Sequence, residues 1–346
     1  MYVTALLMIL VAIGMVLPKS KSALVPFNQE NTLPLRGLLA LLIVLHHLGT
    51  ETHLPIISSY RTGIGFPIVA VFFFISGYGL CTSFKCKGRL YLDGFLNKRL
   101  GKLLPAFLFL TLSVMAFYHF GGYISFTDQV TQLINRGITP LPFSWFIYTI
   151  FYSYIAFYFS ALIGKTPQKT GVLFLISTII YVVFMAIIAG FAEYWWWTIG
   201  SINLGYYVAL YEKRIEKLIT NHRVSFYTAL VSALFLSFCA VAKLHSIKST
   251  CAIPWIFIQA FAVYIVIRTF GMVKWKSLIF VGTFSAELYL VHGIPLYFGQ
   301  AMGMNDWMLW IFTYAITILI AYLLNRYFKL PKLPKFLNSR IISTKD

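Results

Sequence analysis

The chain reads as an all-α, polytopic transmembrane helix bundle of about 11 spans, and three observations carry that expectation. Only 11% of the 346 residues are charged, while 59% are apolar and 18% aromatic. An ordinary soluble domain carries about 25% charged residues, so too few are present to clothe a solvated surface. The mean hydropathy is +0.79. The apolar residues also gather into long runs, most of them near the roughly 20 residues needed to cross a hydrocarbon core of about 30 Å. The same composition excludes disorder, coiled coil, collagen and disulfide-scaffold readings.

Taken in order, the candidate spans fall at 2–17, 33–53, 62–84, 103–124, 144–164, 171–190, 195–211, 225–242, 251–269, 277–298 and 307–328. No Lys or Arg precedes the first run and no small-x-small site follows it, which disfavours a cleaved signal peptide. The runs at 2–17 and 195–211 are short for a span. Residues 1–32 form one division of the chain, an extra N-terminal helix with a basic loop. Residues 33–328 form the membrane core, and 329–346 a basic tail. The Trp195-Trp196-Trp197 run reads first as an aromatic belt at an interface. Cys81, Cys86, Cys239 and Cys251 show no CxxC and no metal spacing, so no metal site is expected; Cys239 and Cys251 flank one loop and could pair only in an oxidising space.

The net charge of +18 takes its meaning from where the basic residues fall. With loop 18–34 placed in the cytoplasm and the spans alternating from there, 24 of the 28 Lys and Arg lie on the inner face. Only Arg61, Arg136, Lys243 and Lys248 lie outside. The expected orientation therefore has the N-terminus out and the C-terminus in. The basic face meets anionic lipid headgroups. Nucleic acid is not an expected partner, because no soluble basic domain exists to present it.

Ionisable groups inside spans cost roughly 2.5–3.5 kcal/mol each, which makes them functional candidates. In 33–53, Arg36 and His47 stand eleven residues apart, about three turns, and so share one face over a rise of about 16 Å. Glu51 lies one turn beyond His47 and can orient it, while His46 points about 80° away. The next span holds Phe72-Phe73-Phe74-Ile75-Ser76-Gly77-Tyr78. Its small residues suit either close helix packing or a narrow ligand running beside Ser76 and Gly77. The loop 85–102 carries six Lys or Arg against one acid, with Arg99 and Lys102 one turn apart at a helix start, a spacing suited to phosphates. In 277–298, Ser285, Tyr289 and His292 share a face and Glu287 is turned away from them.

These segments resemble acyltransferase family 3, bacterial multi-pass membrane O-acyltransferases. Arg36-Gly37-Leu38 with His47, ten residues intervening, resembles the first signature. Phe73-Phe74-Ile75-Ser76-Gly77-Tyr78 resembles an aromatic-aromatic-x-x-Ser-Gly-aromatic segment, and Phe95 to Pro105 a basic loop ending in proline. Trp145-Phe146 resembles the Trp after the first large outer loop, and Ser285 to His292 the late Ser-x-x-x-Tyr-Leu-x-His segment. Lys102 departs from the pattern, standing where a second Arg is expected, and Lys is not equivalent to Arg in bidentate phosphate recognition.

The resemblance implies a ten-helix core preceded by one extra helix, in a bacterial cytoplasmic (inner) membrane. It also implies transfer of an acetyl or other short acyl group from cytoplasmic acyl-CoA to a hydroxyl of a cell-surface or exported glycan. Acyl-CoA is then a co-substrate, with no permanently bound cofactor, and a glycan or lipid-linked saccharide is the acceptor. On this reading His47 is the general base and Arg36 holds or polarises the donor. Arg99, Lys102 and Lys98, with Ser76 and Gly77, serve the donor. Glu287, Tyr289, His292, Ser285, Trp145 and Glu51 line the acceptor side or support His47. The alternatives are a transporter or flippase for a glycan or glycolipid precursor, and a non-catalytic member of a glycan-assembly complex. The donor could also be longer, such as succinyl-CoA.

Overall fold

In the computed structural model, residues 2–16, 24–53, 64–101, 103–243 and 248–328 are described, and among them there is no β-strand. In chain order the helices are α1 (Tyr2–Val16), α2 (Gln29–Glu51), α3 (Gly65–Lys87), α4 (Phe95–Leu100), α5 (Leu104–Phe120), α6 (Phe126–Arg136), α7 (Trp145–Gly164) and α8 (Pro167–Val183). There follow α9 (Gly200–Leu210), α10 (Glu212–Asn221), α11 (Arg223–Lys243), α12 (Lys248–Phe270), α13 (Lys276–Thr283), α14 (Ser285–Val291), α15 (Gly293–Ala301) and α16 (Asp306–Tyr327). The basic tail 329–346, Lys102, and the loop residues Lys19, Lys21 and Arg61 lie outside the described residues.

Helix ends follow from local chemistry. Asn28 caps α2 by accepting from the Asn31 N–H, and Glu30 sits in the positive first turn. Asn305 does the same for α16, which opens on Asp306 and closes on Arg326. Thr166 caps α8 with Pro167 at its first position, where a missing N–H costs nothing.

Among the described residues, seven helices are long and apolar enough to cross a membrane: α2, α3, α7, α8, α11, α12 and α16. The bent pair Lys276–Thr283 and Ser285–Ala301 makes eight if counted as one span. The expected count of eleven is not reached by helix length. The run at 195–211 supplies only the 11-residue α9, about 16 Å long and too short for about 30 Å of hydrocarbon. Trp195 itself is buried at 3% exposure, and the Trp197 ring lies 5.0 Å from Phe66. The Trp run therefore packs inward in part, where an interfacial belt was expected. The run at 277–298 is broken at Phe284. The helices in 2–17 and 103–124 are apolar but short.

The chain divides into two units, each assembled from separated stretches: Met1–Cys81 with Glu193–Ser285, and Thr82–Ala192 with Ala286–Asp346. In the first unit α2 lies against α13, and α1 against α11 and α12. Close approach is bought by glycine: a Cβ at Gly37 would come within 2.1 Å of the Leu278 carbonyl, and one at Gly282 within 2.1 Å of the Leu33 carbonyl. Leu7 and Val11 of α1 are buried, and Gln259 of α12 donates to Thr4 Oγ1 at 3.1 Å. In the second unit α7 packs on α8 and α15 on α16, around a core that includes Phe95, Phe157 and Phe174. The four cysteines are free thiols.

Candidate active site

In the first unit, Arg36 and His47 are carried on the unbroken α2, both half-buried. Continuity of the helix turns their eleven-residue spacing into a common stripe, about 20° apart around the axis. Arg36 Nε donates to the Thr32 carbonyl at 3.4 Å, one turn back along the helix. The rings of His46 and His47 lie 4.8 Å apart. They have different surroundings, because His46 presses on the start of α3: a Cβ at Gly65 would meet His46 Nε2 at 2.5 Å. Glu51 ends α2 and accepts from Thr50 Oγ1 at 3.2 Å.

Ser76 is half-buried on α3. Beside it, a Cβ on Gly77 would stand 1.8 Å from the Ile202 carbonyl, and one on Gly205 would stand 2.1 Å from the Phe74 carbonyl. The two glycines therefore seat α3 and α9 backbone to backbone. Close packing fills the side of Gly77 that faces α9.

Tyr78, next in the same segment, leads to residues the sequence reading passed over. Its hydroxyl donates to Glu212 Oε1. Arg268 donates through Nη1 to Glu212 and through Nη2 to Glu216, and is itself only 3% exposed. Nη1 also reaches the Tyr264 hydroxyl at 3.1 Å. Phe27 packs edge-on against Phe74, Tyr78 and Tyr264, with centroids 6.0, 4.9 and 5.1 Å away. A buried guanidinium thus ties α10, α12 and the Ser-Gly-Tyr helix together. Its two acids stand 56 and 52 residues upstream, and no local spacing signals them.

In the second unit, Arg99 is half-buried in aromatic rings. It donates to the Tyr91 hydroxyl at 2.6 Å and lies 5.8 Å and 5.5 Å from the ring centres of Phe95 and Tyr154. Lys98 is exposed, with Nζ 3.3 Å from the Asp93 carbonyl. The pairing of Arg99 with Lys102 falls on a residue outside the described set.

The late segment and the Trp145-Phe146 start of α7 meet in this unit. His292 is fully buried, its Nδ1 2.6 Å from the Tyr289 carbonyl. Its ring stacks on Phe143 at 5.2 Å and 15°. Phe146 lies 4.7 Å from Tyr289 and packs edge-on against Trp145. Phe143 adopts φ 58°, and a Cβ on Gly293 would stand 2.7 Å from Pro142 Cβ. Two stretches about 145 residues apart thereby form one surface. Glu287 is 2% exposed and accepts from Asn325 Nδ2 on α16 at 2.8 Å, a partner absent from the sequence expectations. Ser285 is buried at the end of the first unit. Among the described residues no cluster of three or more His, Cys, Asp or Glu is arranged to hold a metal ion.

Fold and site together define a multi-pass helical membrane protein with buried histidine, carboxylate and guanidinium groups set in its helices, where such groups mark chemistry or a transport path. Residues 35–326 match the family described as "Acyltransferase domain", acyltransferase family 3. The chain belongs to that family and is a membrane acyltransferase. The match takes in Arg36, His47 and the segment to His292, and leaves α1 outside. Neither the curated proteins nor the solved structures contain a match to this chain.

Proposed function

We propose that the protein moves an acetyl or other short acyl group from cytoplasmic acyl-CoA to a hydroxyl of a cell-surface or exported glycan, in a bacterial inner membrane. The observation that carries this reading is the Arg36–His47 stripe on one continuous helix within the family match. His47 takes the proton of the acceptor hydroxyl, whose oxygen attacks the thioester carbonyl. The C–S bond breaks and CoA leaves as its thiol once protonated. Arg36 polarises or holds the donor. Arg99 and Lys98 supply positive charge for the CoA phosphates, while Tyr289, His292 and Trp145 serve the acceptor. The skew of basic residues to one face supports entry of the donor from the cytoplasm.

The experiment uses purified protein in liposomes with acetyl-CoA labelled in the acetyl group, following CoA release and label retention. His47→Ala should lower turnover by about 10²–10⁴ if His47 is the base. Near-normal transfer in that variant removes the assignment. Absence of turnover with glycan-containing lysate present removes acetyl-CoA as the donor, and absence with succinyl-CoA and other short acyl-CoAs as well removes the acyl-CoA reading itself.

A further inference from the structure

Beside α6 and the turn that precedes it lies an open cavity of about 660 Å³, its walls formed mostly by exposed residues. His119 and Tyr123 line one side; Asp128, Gln132, Asn135 and Arg136 of α6 line another. The sequence accounts for this wall. Ser125 caps α6 by accepting from the Asp128 N–H, and Gly137 closes it in the left-handed conformation. Gln129, 4% exposed, donates to the carbonyls of Met115 and Ile124 at 3.1 and 3.2 Å, which sets the rotation of the helix about its axis. Positions 128, 132, 135 and 136 then share the cavity face.

The opposite face of α6 carries Val130 and Ile134, exposed at 44% and 66%, while Phe126 packs on the His119 ring at 4.5 Å. A helix so divided suits a membrane interface with its apolar face toward the acyl chains, a placement that would leave the cavity on the water side. Its lining suits a sugar. The Gln132 and Asn135 amides each donate and accept, Arg136 donates and Asp128 accepts, which matches the two-way hydrogen bonding of hydroxyls. Among the described residues no side-chain hydrogen bond to the protein engages Gln132, Asn135 or Arg136. Tyr123 is 69% exposed and its ring is braced on Phe117 at 6.2 Å, offering a face for pyranose C–H groups. One acid and one guanidinium balance, which disfavours a polyanion.

We infer that this cavity holds an uncharged saccharide unit of the acceptor, free or lipid-linked, and so selects which glycan is acylated. The inference rests on the glycan-acceptor reading above and on the outer placement of loop 125–143. The test uses the full-length protein in phosphatidylcholine nanodiscs without any acyl donor. Saturation-transfer NMR follows maltohexaose, cellohexaose, mannohexaose and chitohexaose, and a second arm adds a glucosyl-diacylglycerol to the disc. At least one probe should bind, and a Gln132→Ala/Asn135→Ala variant should bind it about tenfold more weakly, since the hydrogen bonds of both amides are lost. Binding of the hexasaccharides or of the glycolipid alone tells the free source from the lipid-linked one. Binding of none, equal binding by the variant, or displacement only by phosphatidylethanolamine overturns the site. CoA release from acetyl-CoA is measured separately on the same samples. Intact release without saccharide binding rejects the cavity alone; saccharide binding without release rejects acyl transfer and leaves the cavity standing.

Discussion

Arg268 shows how much a single side chain can organise. It is nearly inaccessible, and its two acids differ: Glu212 is 27% exposed and also receives the Tyr78 hydroxyl, whereas Glu216 is 39% exposed. Hydrogen bonds to charged groups in such settings contribute about 1.5–3 kcal/mol, while exposed pairs contribute about 0–1 kcal/mol. Glu212→Ala should therefore lower the midpoint of thermal unfolding in detergent clearly more than Glu216→Ala. Equal losses would mean that the Tyr78 contact adds nothing. Arg268 could be counted from the sequence only as one more basic residue on the inner face. Its role depends on acids brought to it by the packing of α10, which local spacing does not encode. Arg36 and His47 were legible for the opposite reason: both sit on one helix, so their separation along the chain fixes their geometry.

At the scale of elements, long apolar runs announced α2, α3, α7, α8, α11, α12 and α16, because a span needs little besides length and apolarity. The failures are where tertiary contacts override length. The run at 195–211 is apolar, but Trp195 turns inward and helix begins only at Gly200. The break at Phe284 divides a run that reads as continuous. Gly77 was open between packing and ligand space, and on the side facing Ile202 it serves packing. Gly77→Ala should cost about 1–3 kcal/mol through overpacking, read as a lower unfolding midpoint, with Gly205→Ala behaving alike. An unchanged midpoint in both would show that α3 and α9 separate readily.

For the whole molecule, the family match runs through both units, from residue 35 to 326, so neither unit alone accounts for it. Sidedness is the broadest expectation still to be measured. In a cysteine-free background, Asn135→Cys should react with an impermeant maleimide on intact cells, and Lys213→Cys only after permeabilisation. The reverse pattern would invert the donor and acceptor faces.

The short α5 bears on the solvent around the protein. Its 17 residues span about 25 Å, less than the hydrocarbon thickness of about 30 Å, and Gly121 with Gly122 ends it. If α5 spans, the lipid beside it thins or its flanking side chains snorkel, at a fraction of a kcal/mol per Å of mismatch. Acyl transfer should then run faster in bilayers of 14-carbon chains than of 20-carbon chains at equal fluidity. Equal rates in the two bilayers would show that the length of α5 does not couple thickness to turnover.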